Sequence, residues 1–104
     1  MLPEQQQRIL GYFIEEAKDH LVTIEQGLLN LQTTLQDSEM VNDLFRAAHS
    51  VKGGAAMLGI SSILRISHRF EDFFKILKES PQLKVDRELE SLLLQVFDAL
   101  REAV

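Results

Sequence analysis

Apolar residues recur every three or four positions along almost the whole chain, which is the spacing of amphipathic helices. The first series predicts one long helix that starts near Pro3, a residue favoured in the first helical turn. Its members are Leu10, Ile14, Ala17, Leu21, Ile24, Leu28, Leu31 and Leu35. The sequence QDSE at 36–39 interrupts the series, and either Asp37 or Ser38 can cap the helix that follows.

A second apolar series predicts a helix that runs through two adjacent glycines, Gly53 and Gly54. Its members are Val41, Leu44, Ala48, Val51, Ala55 and Leu58. Glycine costs about 1 kcal/mol relative to alanine inside a helix, so the pair costs roughly 2 kcal/mol. Because the series keeps its phase across both glycines, we expect the helix to end at Gly59. A break at the double glycine is the alternative.

Two further helices complete the pattern. The first begins at Ser61 or Ser62 as a cap and carries Ile63, Ile66, Phe70, Phe73 and Leu77, with Phe74 at the flank of the core or partly exposed. The second follows a loop at 79–86, is capped by Asp86, and carries Leu89, Leu93, Val96 and Leu100, widened by Leu92 and Phe97. The predicted fold is all-α: an antiparallel (up-down) four-helix bundle with a long first helix, forming one domain over residues 1–104.

Composition narrows the class of protein. With 45% hydrophobic and 26% charged residues, the chain resembles soluble globular domains rather than disordered ones. It has no cysteine, which excludes disulfides and thiolate metal sites. The net charge of -5 argues against nucleic acid or an anionic membrane as the main partner. No apolar run approaches the roughly 20 residues of a membrane span, and the first residues do not resemble a secretion signal, so we expect a cytoplasmic protein.

One histidine stands beside the core stripe of the second helix. His49 directly follows a core position, which places it about 100° round the helix, at the flank. If the turn after this helix is centred near Ile60, residues at equal distances from Ile60 along the chain lie side by side in the helical hairpin. This places His49 opposite Glu71, and Lys52 opposite His68. Glu71 is then placed to accept a hydrogen bond from one imidazole nitrogen. Such a bond fixes the tautomer and leaves the other nitrogen nucleophilic.

The neighbours of His49 suit a group carried on the imidazole. Lys52 lies one turn further on and can stabilise a dianionic group there. Gly53 and Ala56 leave the helix surface beside the ring bare, so another protein can bring its backbone close. We therefore interpret the glycines as giving access to His49. His20, in the first helix, is interpreted as a surface residue.

Three segments together resemble a known family: AAHSVKGGAAMLGI at 47–60, SHRFEDFF at 67–74 and FIEEAKDHL at 13–21. They resemble the histidine phosphotransfer (HPt) family, in particular the N-terminal phosphoacceptor domain of CheA-type histidine kinases. The sequence also looks similar to hybrid kinases of cyanobacteria. The resemblance covers nearly the whole chain and is weakest in the last helix.

The resemblance implies a role for each residue of the site. It implies that His49 is phosphorylated at Nε2, and that Glu71 orients the ring through Nδ1. It implies that Lys52 and His68 support the phosphoryl group. No metal or cofactor is expected.

The resemblance also implies the partners. The ATP-binding domain of a histidine kinase would phosphorylate the histidine, and an aspartate of a response-regulator receiver domain would take the phosphoryl group. Gly53, Ala56 and Arg46 would form the docking surface. The domain would be a non-catalytic phosphoacceptor, a monomer in isolation, whose kinase catalytic domain lies outside this chain. It would be either the N-terminal domain of a larger kinase or a free-standing protein, and the signalling output stays open.

Three other interpretations remain at this stage. His49, His68 and Glu71 are ligand types that suit zinc, although Lys52 would put a positive charge beside the metal. The bundle could be a purely structural adaptor, which would not explain the glycines. His49 could also be the general base of another enzyme, although no second catalytic group is visible. Phosphate transfer in the presence of a kinase separates all three from the phosphoacceptor.

Overall fold

Helices account for every regular element that the computed structural model contains in residues 3–79 and 86–104, which are the residues it describes. They are α1 (Pro3–Leu29), α2 (Leu31–Leu35), α3 (Ser38–Leu58), α4 (Ser61–Glu79) and α5 (Arg87–Ala103). The four long helices pack around one core, with α3 between α1 and α4, and α5 against α1 and α4. The predicted all-α bundle is therefore confirmed. Most of the predicted loop, positions 80–85, lies outside the described residues.

The helix ends follow local signals in the sequence. The carboxylate of Asp37 caps α3 by accepting hydrogen bonds from two backbone N–H groups of the first turn, the shorter at 3.0 Å. The carboxylate of Asp86 caps α5 by accepting one hydrogen bond, from the backbone N–H of Leu89 at 2.8 Å. Both Ser61 and Ser62 lie inside α4, so the prediction that one of them caps it was wrong. The carbonyl of Ile60 opens that helix instead.

A tight turn joins α3 to α4. Gly59 adopts a left-handed conformation, with φ 71° and ψ 27°, which glycine reaches without steric strain. The N–H of Ile60 then donates to the carbonyl of Ala55 at 2.9 Å. α3 therefore runs through the double glycine and ends at Gly59 as predicted. The short connection sets the register of α3 against α4.

The long first helix is broken, contrary to the prediction. α1 ends at Leu29 and the short α2 begins at Leu31. Beyond the break, the buried hydroxyl of Thr34 donates a hydrogen bond to the carbonyl of Gly27 at 2.9 Å. Leu28 and Leu31 are both buried. The apolar spacing therefore continues across the break and could not reveal it.

The core follows most of the predicted apolar series, and the main differences lie in α1, α4 and α5. In α1, Leu10 is exposed and Phe13 is buried instead. In α4, Phe74 is fully buried and its ring stacks on Phe70 at 5.5 Å, while Phe73 is only partly buried. In α5, Leu92 is 55% exposed and does not widen the core stripe.

α1 approaches α3 closely at two glycines. A Cβ on Gly54 would lie 2.5 Å from Cδ1 of Phe13, and a Cβ on Gly27 would lie 2.5 Å from Cδ2 of Leu44. Real Cβ atoms do not approach other heavy atoms so closely. Each glycine therefore makes room for a large side chain of the opposite helix.

Candidate functional site

His49 projects from the outer face of α3, and its side chain is 61% exposed. Its Nδ1 lies 3.2 Å from Oε1 of Glu71 on α4, the contact expected from the hairpin register. A neutral imidazole that donates from Nδ1 keeps its lone pair on Nε2. In this tautomer the lone pair of the ring lies on Nε2, the nitrogen that does not contact Glu71.

The carboxylate of Glu71 is shared between two helix α3 side chains. Its other oxygen, Oε2, lies 2.6 Å from Nζ of Lys52, and only 14% of the Glu71 side chain is exposed. Burial alone would raise the pKa of this carboxyl, but the contacts with Lys52 and His49 outweigh it and lower the pKa below its usual value. Glu71 is thus ionised and held in place. The side chain of Lys52 is 25% exposed, and it is linked to His49 by the Glu71 carboxylate that both residues contact.

His68 does not join this cluster. Its Nε2 lies 3.6 Å from the carboxylate of Asp72 on the same helix, and Lys52 pairs with Glu71 rather than lying against His68. Among residues 3–79 and 86–104, no three His, Asp or Glu side chains are grouped closely enough to hold a metal ion. The arrangement therefore gives no support to a zinc site built from His49, His68 and Glu71.

Phe45 is a neighbour of His49 that the sequence interpretation missed. The two rings are nearly parallel, with centroids 6.2 Å apart and planes at 14°. Nζ of Lys78 lies 5.7 Å from the centroid of the Phe45 ring and donates a hydrogen bond to Oδ1 of Asn42 at 3.0 Å. Phe45 precedes His49 by one helical turn, so the spacing rule for helix neighbours could have found it.

The outer surface of α3 beside His49 is bare, as predicted. Arg46, Gly53 and Ala56 are all exposed, and a Cβ on Gly53 would meet nothing within 4 Å. Met57, also exposed, lies beyond them on the same face. This part of the helix offers a partner two small residues, Gly53 and Ala56, close to the imidazole, with the longer side chains of Arg46 and Met57 on the same face.

Two interpretations of residues near this surface need correction. Gly54 does not contribute to access, because the ring of Phe13 packs against it. His20 is not simply a surface residue, because its side chain is 28% exposed and lines a small cavity of about 30 Å³ with Ser50 of α3. Its Nε2 lies 3.5 Å from the carboxylate of Glu16. Both residues therefore belong to the contact between α1 and α3.

An up-down helical bundle with an exposed histidine held by a carboxylate of the next helix is the architecture of a phosphotransfer module. The family model of the Hpt domain matches residues 8–103, and the chain belongs to this family. Hpt domains are phosphoacceptor modules of two-component signalling and not catalytic domains.

The chain is also similar to several chemotaxis proteins named CheA. It is 36% identical to that of Klebsiella aerogenes over 90 residues, which cover 86% of this chain and 14% of the relative. The CheA of Bacillus subtilis is 32% identical over 95 residues (91% and 14%), and that of Borreliella burgdorferi 28% over 102 residues (98% and 12%). The chain thus spans only about an eighth of the length of these relatives.

A solved structure supports the same assignment. The CheA phosphotransferase domain from Thermotoga maritima superposes with a TM-score of 0.76 at 28% identity, covering 94% of this chain and 92% of that one. No helix in the described part of the chain has the combination of length and hydropathy that a bilayer span requires.

Proposed function

We propose that His49 is the phosphoacceptor of this Hpt domain. It receives a phosphoryl group from the ATP-binding domain of a histidine kinase and passes it to an aspartate of a response-regulator receiver domain. The contact between His49 Nδ1 and Glu71 carries the proposal. It selects one tautomer of one exposed histidine in a chain that belongs to a phosphoacceptor family.

In the first transfer, the lone pair of His49 Nε2 forms a bond to the γ-phosphorus of ATP. The bond between that phosphorus and the bridging oxygen breaks, and its electron pair leaves with ADP. The imidazole, still protonated at Nδ1, gains positive charge as the N–P bond forms. The ionised carboxylate of Glu71, 3.2 Å from Nδ1, stabilises this charge. In the second transfer the N–P bond breaks, and the aspartate oxygen of the receiver takes the phosphoryl group.

Lys52 supports the reaction in two ways. Its ammonium group, 2.6 Å from Glu71, keeps that carboxylate ionised. Because Lys52 follows His49 by one turn on the same helix, its positive charge also lowers the electrostatic cost of a dianionic phosphoryl group nearby. His68 has a lesser part, since its carboxylate partner is Asp72.

Both partners would dock on the outer face of α3, where Gly53, Ala56 and Arg46 adjoin the imidazole. The partners' own active sites supply the catalytic groups. We further propose that residues 1–104 form one cytoplasmic phosphotransfer domain, monomeric in isolation, that works with a kinase domain outside this chain. Its similarity to short portions of CheA proteins supports this arrangement.

Phosphorylation of matched histidine variants tests the assignment. His49 and His68 are almost equally exposed, at 61% and 60%, so replacing either should leave the fold intact. His49→Gln should abolish incorporation of labelled phosphate from ATP and a CheA kinase domain, and His68→Gln should retain most of it. Far-UV circular dichroism checks that both variants are folded. Loss of labelling in His68→Gln with normal labelling in His49→Gln would overturn the proposal.

A further inference from the structure

The imidazole of His49 contacts two side chains of different kinds. Glu71 meets the edge of the ring, with Oε1 at 3.2 Å from Nδ1. Phe45 lies beside the ring and nearly parallel to it, with centroids 6.2 Å apart and planes at 14°. Offset parallel rings at this separation attract each other. The contact with Glu71 at Nδ1 and the parallel ring of Phe45 therefore restrict different motions of the imidazole.

We propose that Phe45 is a positioning residue for phosphotransfer, which rests on the phosphoacceptor role of His49. A single hydrogen bond at Nδ1 leaves the imidazole able to rock about the line to Glu71. The Phe45 ring limits that rocking and so fixes the direction in which Nε2 points. Direction matters because the nucleophile, the phosphorus and the leaving oxygen must lie nearly in line, and small misplacements slow such reactions severely.

Phe45 is itself held by both helices of the hairpin. The ammonium of Lys78, in the last turn of α4, lies 5.7 Å from its ring centroid, within the range of a cation–π contact. Asn42, on α3, accepts a hydrogen bond from the same ammonium at 3.0 Å. Phe45 also packs against the core. The support of His49 therefore continues from Glu71 toward the end of α4, on the other side of His49 from Gly53 and Ala56.

A small phosphodonor distinguishes an effect on the position of the imidazole from an effect on the docking of a partner protein. Phosphoramidate needs no protein surface: a bond forms between phosphorus and His49 Nε2, the N–P bond of the donor breaks, and its nitrogen, already protonated to –NH3⁺, leaves with the electron pair as ammonia. Phe45→Leu keeps apolar volume but removes the ring, and should slow labelling of His49 about threefold to tenfold. Phe45→Tyr keeps the ring and should label at nearly the wild-type rate. Phe73→Leu is the matched control, because it removes a partly buried aromatic ring at another place on the core. This variant should also be labelled at the wild-type rate.

NMR of the His49 ring provides a readout that loss of stability alone would not change. In Phe45→Leu, the ring protons of His49 should shift as the neighbouring ring current disappears, and the tautomer preference for Nδ1–H should weaken. Neither should change in Phe73→Leu. Lys78→Met should shift the Phe45 ring signals, whereas Lys75→Met, one turn earlier on α4, should not.

The outcomes separate this inference from the proposed function. A wild-type domain that phosphoramidate or the kinase does not label at His49 would overturn both. Normal labelling of the wild type, together with unchanged rate and unchanged His49 signals in Phe45→Leu, would overturn only the role of Phe45. Equal losses in Phe45→Tyr and Phe45→Leu, or in Phe73→Leu and Phe45→Leu, would also overturn it, because the aromatic ring would then not be what matters.

Discussion

Alanine at each of the two adjacent glycines of α3 is expected to change stability in opposite directions. At Gly53 a Cβ meets nothing within 4 Å, so Gly53→Ala should gain about 1 kcal/mol of helix propensity. At Gly54 a Cβ would lie 2.5 Å from Cδ1 and 2.6 Å from Cε1 of Phe13. Overpacking of this kind costs about 1–3 kcal/mol, and the same gain in propensity offsets part of it. Gly54→Ala should therefore lose on the order of 1 kcal/mol.

Urea unfolding followed by far-UV circular dichroism measures both changes. Relative to the wild type, the free energy of unfolding should rise in Gly53→Ala and fall in Gly54→Ala, with a difference of about 2 kcal/mol between the variants. In a thermal scan, each change of 1 kcal/mol corresponds to about 4 °C or somewhat more for a domain of this size.

A double-mutant cycle tests the cause at Gly54. Phe13→Ala removes the Cδ1 and Cε1 atoms that a new Cβ would meet, so Gly54→Ala should no longer destabilise the protein in that background. Changes of the same sign at both glycines would refute this account of the double glycine. An equal cost of Gly54→Ala with and without the Phe13 ring would refute the steric explanation.

The remaining predictions concern Gly53, Glu71 and Thr34. Gly53→Leu should be at least as stable as the wild type but should slow phosphorylation by the kinase several-fold, and a normal rate would place docking elsewhere. Because the contacts with Lys52 and His49 lower the pKa of Glu71 in the folded state, its ionised form stabilises the fold above the ordinary pKa of a glutamate, and this contribution disappears as the pH falls through the folded pKa. Glu71→Gln should therefore lose less unfolding free energy than the wild type on acidification, and ¹⁵N NMR should show a weaker His49 tautomer preference. An unchanged acid dependence, tautomer ratio and phosphorylation rate would remove Glu71 from the mechanism. Thr34→Val removes the hydrogen bond to Gly27 and should cost about 1 kcal/mol in urea unfolding without slowing phosphorylation, and an unchanged midpoint would contradict that role.

The contact between His49 and Glu71 could be predicted because two simple rules determine it. The apolar series fixes which face of each helix is buried, and a short turn makes residues equally far from it lie level. The same rules predicted that α3 continues through the glycines to Gly59. They work because burial is periodic and because α3 and α4 are joined by only one turn.

Other features depend on individual side chains and leave no mark on the apolar spacing. The break between α1 and α2 involves a buried hydroxyl, that of Thr34, while the apolar residues on both sides stay in phase. Whether Phe73 or Phe74 is fully buried depends on the packing of neighbouring rings. Lys52 was expected near a phosphoryl group, and its contact with Glu71 depends on where a flexible side chain finds its nearest counter-charge.

The tight turn at Gly59 fixes the number of residues between His49 and Glu71. This limits where members of the family can gain or lose residues. Inserting one residue into the first turn of α4, directly after Gly59 and Ile60, would rotate the rest of that helix by about 100° and translate it by about 1.5 Å. Glu71 would then turn away from His49, and the buried face of α4, which carries Phe70 and Phe74, would turn away from the core. Natural insertions and deletions should therefore be tolerated between α4 and α5 far more readily than at this turn. The contact between His49 and Glu71 thus depends on the number of residues that separate them as well as on their identities.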